Sequence, residues 1–114
     1  MDLYLQTNDN LRPREEVRIE RVAATYPSHQ RVKVEVVVTP FRERPNLEIT
    51  IRDVDDQIVS SASVVALMNF NVAFNLHLRG IDEPTGDYAV QVQLYYDDVQ
   101  VPQDMQVANL HIAG

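Results

Sequence analysis

Strict alternation of apolar and polar residues is the feature that most constrains the fold of this chain. The alternation is clearest in four segments, which begin at Val32, Leu47, Phe70 and Tyr88. A period of two places successive side chains on opposite faces of a strand, so each segment predicts a β-strand with one buried face. A helical period is missing, apart from a stretch at 64–68 that is long enough for one helical turn.

Three weaker strands complete the predicted fold, near 16–25, 57–65 and 99–112. In the first of them the apolar parity flips between Ile19 and Val22, which predicts a β-bulge. Pro102 in the last one indicates an edge position or a second bulge. Seven short strands at this spacing predict an all-β chain, a seven-stranded antiparallel two-sheet Greek-key sandwich of the immunoglobulin-like kind. The 114 residues suit one domain. We expect a loose, polar entry segment at 1–15 and the sandwich at 16–114.

Composition excludes several classes of function. The net charge is −7 and the chain has one lysine, so it lacks the basic clusters that bind nucleic acid. It has no cysteine for disulfides or thiol chemistry, and its three glycines form no phosphate-binding loop. His29, His77 and His111 fall on a turn and on two strands predicted to lie in different sheets, which disfavours a zinc site. No Gly-x-Ser-x-Gly motif accompanies Ser28 and His29. The sequence therefore predicts a protein that is not an enzyme.

Membrane and targeting signals are also missing from the sequence. No apolar stretch approaches the twenty residues of a membrane span. No apolar run with a basic leader follows Met1, so a secretory signal is not predicted. The chain is expected to be cytoplasmic, and the alternative is a trimmed piece of an exported protein.

The segment Glu83-Pro84-Thr85-Gly86-Asp87-Tyr88-Ala89-Val90-Gln91-Val92 resembles the entry into the sixth strand of immunoglobulin-like and fibronectin type III-like domains. In those domains a tyrosine, matched here by Tyr88, forms a hydrogen bond from its hydroxyl to the preceding connection. The segment 45–59 is similar to the third strand, turn and fourth strand of bacterial modules of this kind, with Asp56-Gln57 where a glycine is usual. The resemblance covers roughly residues 16–113 and implies a fold, but it implies no particular function.

Charge is distributed unevenly along the chain. Residues 53–114 contain one basic residue, Arg79, and nine acidic ones, whereas residues 1–52 are nearly neutral. The predicted strand order gathers six carboxylates at one pole: Asp53, Asp55, Asp56, Asp82, Glu83 and Asp87. Such oxygen ligands suit calcium, which makes a calcium-dependent binding domain one hypothesis and calcium the one cofactor considered. The alternative is a solvated acidic end, because aspartate is favoured in turns, and we favour this alternative.

The opposite pole suggests a protein-binding surface. Phe41 lies between Arg42 and Arg44 in a predicted loop, a composition typical of interface hot spots. Tyr95 is expected to point outward on the sixth strand and could add to such a surface. The alternative is that Phe41 folds under as a lid on the core while the two arginines pair with Asp97 and Asp98.

These observations together favour a non-catalytic protein-interaction or accessory module. Its partner would be another protein or a second copy of the chain, paired through the weak fourth strand, which has few charges to block an edge. A calcium-dependent binding domain is the first alternative. An inhibitor-type module that presents the Phe41 loop is the second.

Overall fold

The computed structural model describes residues 10–28 and 30–113 and confirms the all-β prediction. A short 3-10 helix, Arg14–Glu16, precedes seven strands. The strands are β1 (Ile19–Ser28), β2 (Arg31–Val38), β3 (Asn46–Arg52), β4 (Ile58–Val64), β5 (Asn71–His77), β6 (Gly86–Tyr95) and β7 (Asp104–Ile112).

The strands form two antiparallel sheets that pack face to face. One sheet has the order β1-β2-β5 and the other the order β4-β3-β6-β7. Every paired strand is antiparallel to its neighbour. This arrangement confirms the predicted sandwich and leaves four edge strands, namely β1, β5, β4 and β7. In the part of the chain that the structure describes, no helix has the length and hydropathy to cross a membrane.

The core consists of the alternating residues that define the strands in the sequence. The inward side chains of β2 are fully buried, as are those of β3 and β6 on the facing sheet. Leu47, Ile49 and Ile51 of β3 are in register with Leu94, Val92 and Val90 of β6. Because paired residues share a face, the two central strands bury one continuous apolar layer.

Three local features agree with the sequence in part. The register of β1 against β2 shifts between Ile19 and Arg21, which confirms the predicted bulge. β7 begins at Asp104, so Pro102 lies before the strand, although β7 is an edge as Pro102 indicated. Val64 ends β4, and the residues that follow it form a bend instead of a helical turn.

The entry to the domain is described only from residue 10 onward, so the prediction for residues 1–9 lies outside the described residues. Arg12 donates its backbone N–H to the carbonyl of Pro40 at 2.8 Å and accepts one from Arg42 at 3.0 Å. Val17 is fully buried. Residues 10–17 therefore pack along the loop between β2 and β3.

Tyr88 adopts the arrangement that its sequence context predicts. Its ring is buried at the start of β6, and its hydroxyl donates a hydrogen bond to the carbonyl of Pro84 at 2.8 Å. Burial, and next the nearby Asp53 carboxylate, raise the pKa of this hydroxyl. The bond fixes the β5–β6 connection against the first residues of β6.

Candidate functional site

The acidic pole forms where the β3–β4 turn meets the β5–β6 connection. Asp53 and Val54 of the turn line a groove together with Ile81 and Thr85 of the connection. The predicted convergence of these two loops is therefore confirmed.

Several of the six carboxylates at this pole have protein partners. Asp53 Oδ1 accepts the backbone N–H groups of Asp55, at 3.0 Å, and Gln57, at 2.9 Å. Asp56 lies 3.5 Å from Arg52 and adopts a φ of 64°, a left-handed conformation that aspartate tolerates where glycine is usual. Among the described residues, no three acidic or histidine side chains are grouped so that they could hold a metal ion. Calcium binding stays a prediction.

Asp87 and His111 form a pair that the sequence reasoning missed. Asp87 of β6 is in register with His111 of β7, and Asp87 Oδ1 lies 2.6 Å from His111 Nδ1. The pair borders a groove of about 380 Å³ lined by Val54, Tyr88 and Leu110 among others. The sequence shows only that each residue points outward on its own strand, and the β6–β7 register that places them side by side is visible only in the structure.

Phe41 lies in the core instead of at an exposed loop tip. The residue is 6% exposed, and its ring meets that of Phe70 edge to face, with the centroids 4.8 Å apart. This is the predicted core-lid alternative, so the Phe41 side chain cannot be presented to a partner or to an enzyme. Arg42 and Arg44 are exposed beside it, and Tyr95 is half-buried on the outer face of β6. Protein binding through Arg42, Arg44 and Tyr95 stays a prediction.

Arg14, and not Arg42 or Arg44, pairs with Asp97 at this pole. Arg14 Nη1 donates to Asp97 at 2.9 Å, and Arg14 also forms a bidentate ion pair with Glu43. The guanidinium lies 4.6 Å from the centre of the Tyr96 ring. The Tyr96 hydroxyl donates to the carbonyl of Glu43 at 2.9 Å. Burial, and next the Glu43 carboxylate, raise the pKa of Tyr96 to about 12.

The ion pairs of Arg14 make the stability of the protein depend on pH. Hydrogen bonds from Arg14 lower the pKa of the Glu43 carboxyl below its ordinary value of 4.5. A carboxyl with a lowered folded-state pKa contributes stability above the unfolded-state pKa and loses it as the pH falls through the folded-state value. We therefore expect Glu43→Gln to make the stability less dependent on pH below about 4.5.

Urea denaturation between neutral pH and about pH 3 measures this effect. Glu16→Gln is the matched control, because Glu16 is an exposed carboxyl in the N-terminal segment that contains Arg14. Equal losses of stability in acid for the two variants would contradict the assigned role of Glu43.

The sandwich is closed along the side where β1 and β7 meet. The Ile19 backbone N–H donates to Asp104 Oδ2 at 2.8 Å, and Gln106 Nε2 donates to the Ile19 carbonyl at 2.7 Å. Gln103 Nε2 donates to the carbonyls of Arg14 and Val17 at 2.6 and 2.7 Å. β1 and β7 do not pair as strands, so these side chains form the hydrogen bonds that the backbone of Ile19 and of the residues just before β1 requires.

The opposite side is open, and we name it the β4–β5 flank: β4, β5 and their connection at 65–70. One backbone hydrogen bond, from the Arg79 N–H to the Val59 carbonyl at 3.0 Å, crosses it near one end. Four apolar inward side chains along it are only half-buried, namely Ala62, Val64, Val72 and Phe74, whereas Ser60 and Leu76 are buried. In the connection, the side chains of Val65 and Met68 are 76% and 71% exposed. The flank therefore presents apolar surface between two sheet edges.

Comparisons with known proteins find similarity of structure. A glycosyl hydrolase family 2 member from Bacteroides cellulosilyticus matches with a TM-score of 0.69 and 19% identity, over 84% of this chain and 15% of that chain. The β-glucuronidase of Bifidobacterium dentium matches with a TM-score of 0.61 and 12% identity, over 84% and 18%. The β-glucuronidase of Lactobacillus rhamnosus matches with a TM-score of 0.51 and 20% identity, over 85% and 16%. No family model and no curated protein matches the sequence.

These neighbours support the fold. At 12–20% identity, a likeness in structure shows a shared β-sandwich and nothing about activity. The chain spans 15–18% of the length of these hydrolases. The predicted resemblance to sandwich modules is thus confirmed at the level of the fold.

Proposed function

We propose that this protein is a non-catalytic interaction module, an accessory β-sandwich that binds another folded polypeptide through the β4–β5 flank. The observation that carries the proposal is the combination of two uncharged sheet edges with half-buried apolar side chains between them. Strand edges bind partners through unpaired backbone groups, and neighbouring apolar side chains add affinity.

The structural neighbours support the accessory part of the proposal. In those hydrolases, a sandwich of this fold makes up 15–18% of a longer chain, so the same fold occurs there as one part of a larger protein. A role as a binding partner or companion of a larger protein, such as a glycoside hydrolase, agrees with that arrangement. Fold alone does not carry activity from those enzymes to this chain.

The distribution of charged residues in the edge strands also supports the β4–β5 flank as the binding surface. No charged residue occurs in β4, and β5 has none apart from His77, which is neutral in the formal charge count. The β1 edge, in contrast, contains Glu20, Arg21 and Pro27, which are residues that prevent edge pairing. β4 and β5 contain no proline, so no backbone donor is missing there, and the charged groups that a partner meets at the flank include Arg79 near one end and the Glu48 carboxylate, which accepts the Ser63 hydroxyl at 2.7 Å.

Site-specific photocrosslinking in cells of the source organism tests this proposal. A benzoylphenylalanine replaces Met68, which is 71% exposed on the flank, and in a control chain it replaces Val101, which is 70% exposed in the β6–β7 loop. We expect a covalent adduct with a second polypeptide from position 68 that exceeds the adduct from position 101 several-fold. Equal adducts at both positions, or none at position 68, would overturn the proposal.

A further inference from the structure

We infer that the polypeptide bound at the β4–β5 flank presents an acidic segment, with carboxylates beside apolar side chains, to the 65–70 end of the flank. The inference rests on the proposed function and adds the chemistry of the partner. It follows from two exposed apolar side chains in the β4–β5 connection, Val65 and Met68, and from two arginines of the neighbouring β2–β3 loop, Arg42 and Arg44.

The connection at 65–70 is held against the rest of the sandwich at its middle residue. The Leu67 side chain is buried in the core, and the Leu67 backbone N–H donates a hydrogen bond to the Pro45 carbonyl at 2.8 Å. Val65 before it and Met68 after it are exposed. The two apolar side chains therefore reach solvent from a backbone that is already ordered, so a partner does not have to order this segment when it binds.

Arg42 and Arg44 lie in the part of the β2–β3 loop that contacts this connection. Phe41, which precedes them, packs on Phe70, and Pro45, which follows them, accepts the hydrogen bond from the connection. Both arginines are exposed, and among the described residues neither forms an ion pair. An apolar surface bordered by arginine is a composition that is enriched in the centres of protein interfaces.

The carboxylate between these two arginines is engaged elsewhere. Glu43 forms its ion pair with Arg14, which also pairs with Asp97. A partner that covers Val65 and Met68 therefore meets positive charge beside them. A carboxylate of the partner complements this charge, whereas a lysine or an arginine of the partner is repelled by it.

The other charged groups of the flank leave this preference in place. At the far end, Arg79 lies beside the beginning of β4, and the acidic residues Asp55 and Asp56 precede that strand, so the far end has charges of both signs. Nearer the connection, the Glu48 carboxylate accepts the Ser63 hydroxyl. Two arginines against this one carboxylate keep the 65–70 end positive, and the preference for an acidic partner comes from that end.

Titration of two synthetic peptides into the isotope-labelled chain, followed by the backbone amide signals in nuclear magnetic resonance, tests the inference. One peptide is acetyl-Glu-Val-Leu-Glu-Val-Leu-amide, and the other has lysine in place of both glutamates. We expect the acidic peptide to bind about tenfold more tightly than the lysine peptide and to shift the amide signals of residues 65–68. Added salt should reduce this difference, because it screens exposed charges.

Charge reversal in the loop gives the opposite preference. Arg42→Glu with Arg44→Glu should make the lysine peptide the tighter ligand. The matched control is Arg21→Glu with Arg31→Glu, which changes the net charge by the same amount at two other exposed arginines. Arg21 lies on β1, the edge of its sheet away from β5, and Arg31 begins β2, at the opposite end of that strand from the connection. This control should keep the preference for the acidic peptide.

Three results would overturn the inference. They are equal affinity for the two peptides or no binding of either, signal changes that lie away from residues 65–68, and an unchanged preference after charge reversal at Arg42 and Arg44. If position 68 still forms its crosslinked adduct, each of these results leaves the proposed function standing. A missing adduct at position 68 contradicts the proposed function itself.

Discussion

Replacing Phe41 with alanine lowers the free energy of unfolding by about 3–5 kcal/mol, the range for truncating a buried phenylalanine. The residue is 6% exposed, and its ring packs edge to face on Phe70 with the planes at 88°. The substitution removes this contact and leaves a cavity between the β2–β3 loop and the beginning of β5. Urea denaturation monitored by circular dichroism measures the loss.

The controls for this prediction use the same loop. Arg42→Ala changes an exposed neighbour and should alter the stability by no more than about 0.5 kcal/mol. Phe41→Leu keeps an apolar side chain and should cost less than Phe41→Ala. A loss below about 1 kcal/mol for Phe41→Ala would mean that the ring does not pack in the core, and it would restore the exposed-tip hypothesis.

Removing the side-chain bridges between β7 and β1 produces the second large effect. Asp104→Ala with Gln106→Ala leaves the N–H and carbonyl of Ile19 without their partners, 2.8 and 2.7 Å away in the intact protein. Ile19 is 4% exposed, so water cannot freely replace both bonds. We expect a loss of about 2–4 kcal/mol, because each unsatisfied buried group costs about 1–3 kcal/mol.

Amide hydrogen exchange distinguishes this mechanism from a general loss of packing. Exchange of the Ile19 amide should accelerate more than that of the β3 amides, because the opening is local to the β1–β7 side. Asn109→Ala, an exposed substitution on the outward face of β7, is the control and should change stability little. Uniform acceleration across both sheets would contradict a local bridge.

The strands and the inward faces could be predicted from the sequence because alternation is a local property. Leu47, Ile49 and Ile51 alternate with polar residues, and only one face of a strand can bury such a set. The bulge near Ile19 was also visible locally, since an extra residue shifts the apolar parity. Tyr88 was recognisable from the residues that surround it, and its hydroxyl makes the expected bond to Pro84.

The candidate sites were predicted less completely because they depend on contacts between distant segments. Arg42 and Arg44 lie in the β2–β3 loop and were predicted to pair with Asp97 and Asp98, but Arg14 pairs with Asp97 from 83 positions away in the chain. An arginine before the first strand gives no local sign of which carboxylate it will meet. For the same reason, the sequence left undecided whether the Phe41 ring points into the core or to solvent, since Phe70, on which it packs, belongs to another loop.

By itself, the sequence determined a seven-stranded antiparallel sandwich, the residues that fill its core and the concentration of negative charge in its second half. Local period-two patterning and composition are sufficient for these properties. The tertiary structure alone decided which sides of the sandwich are closed. Asp104 bridges to Ile19 across 85 positions of sequence, whereas four inward residues of β4 and β5 stay half-buried, namely Ala62, Val64, Val72 and Phe74. The physical reason is that edge closure depends on which distant side chains reach an unpaired backbone, and no local pattern contains that information.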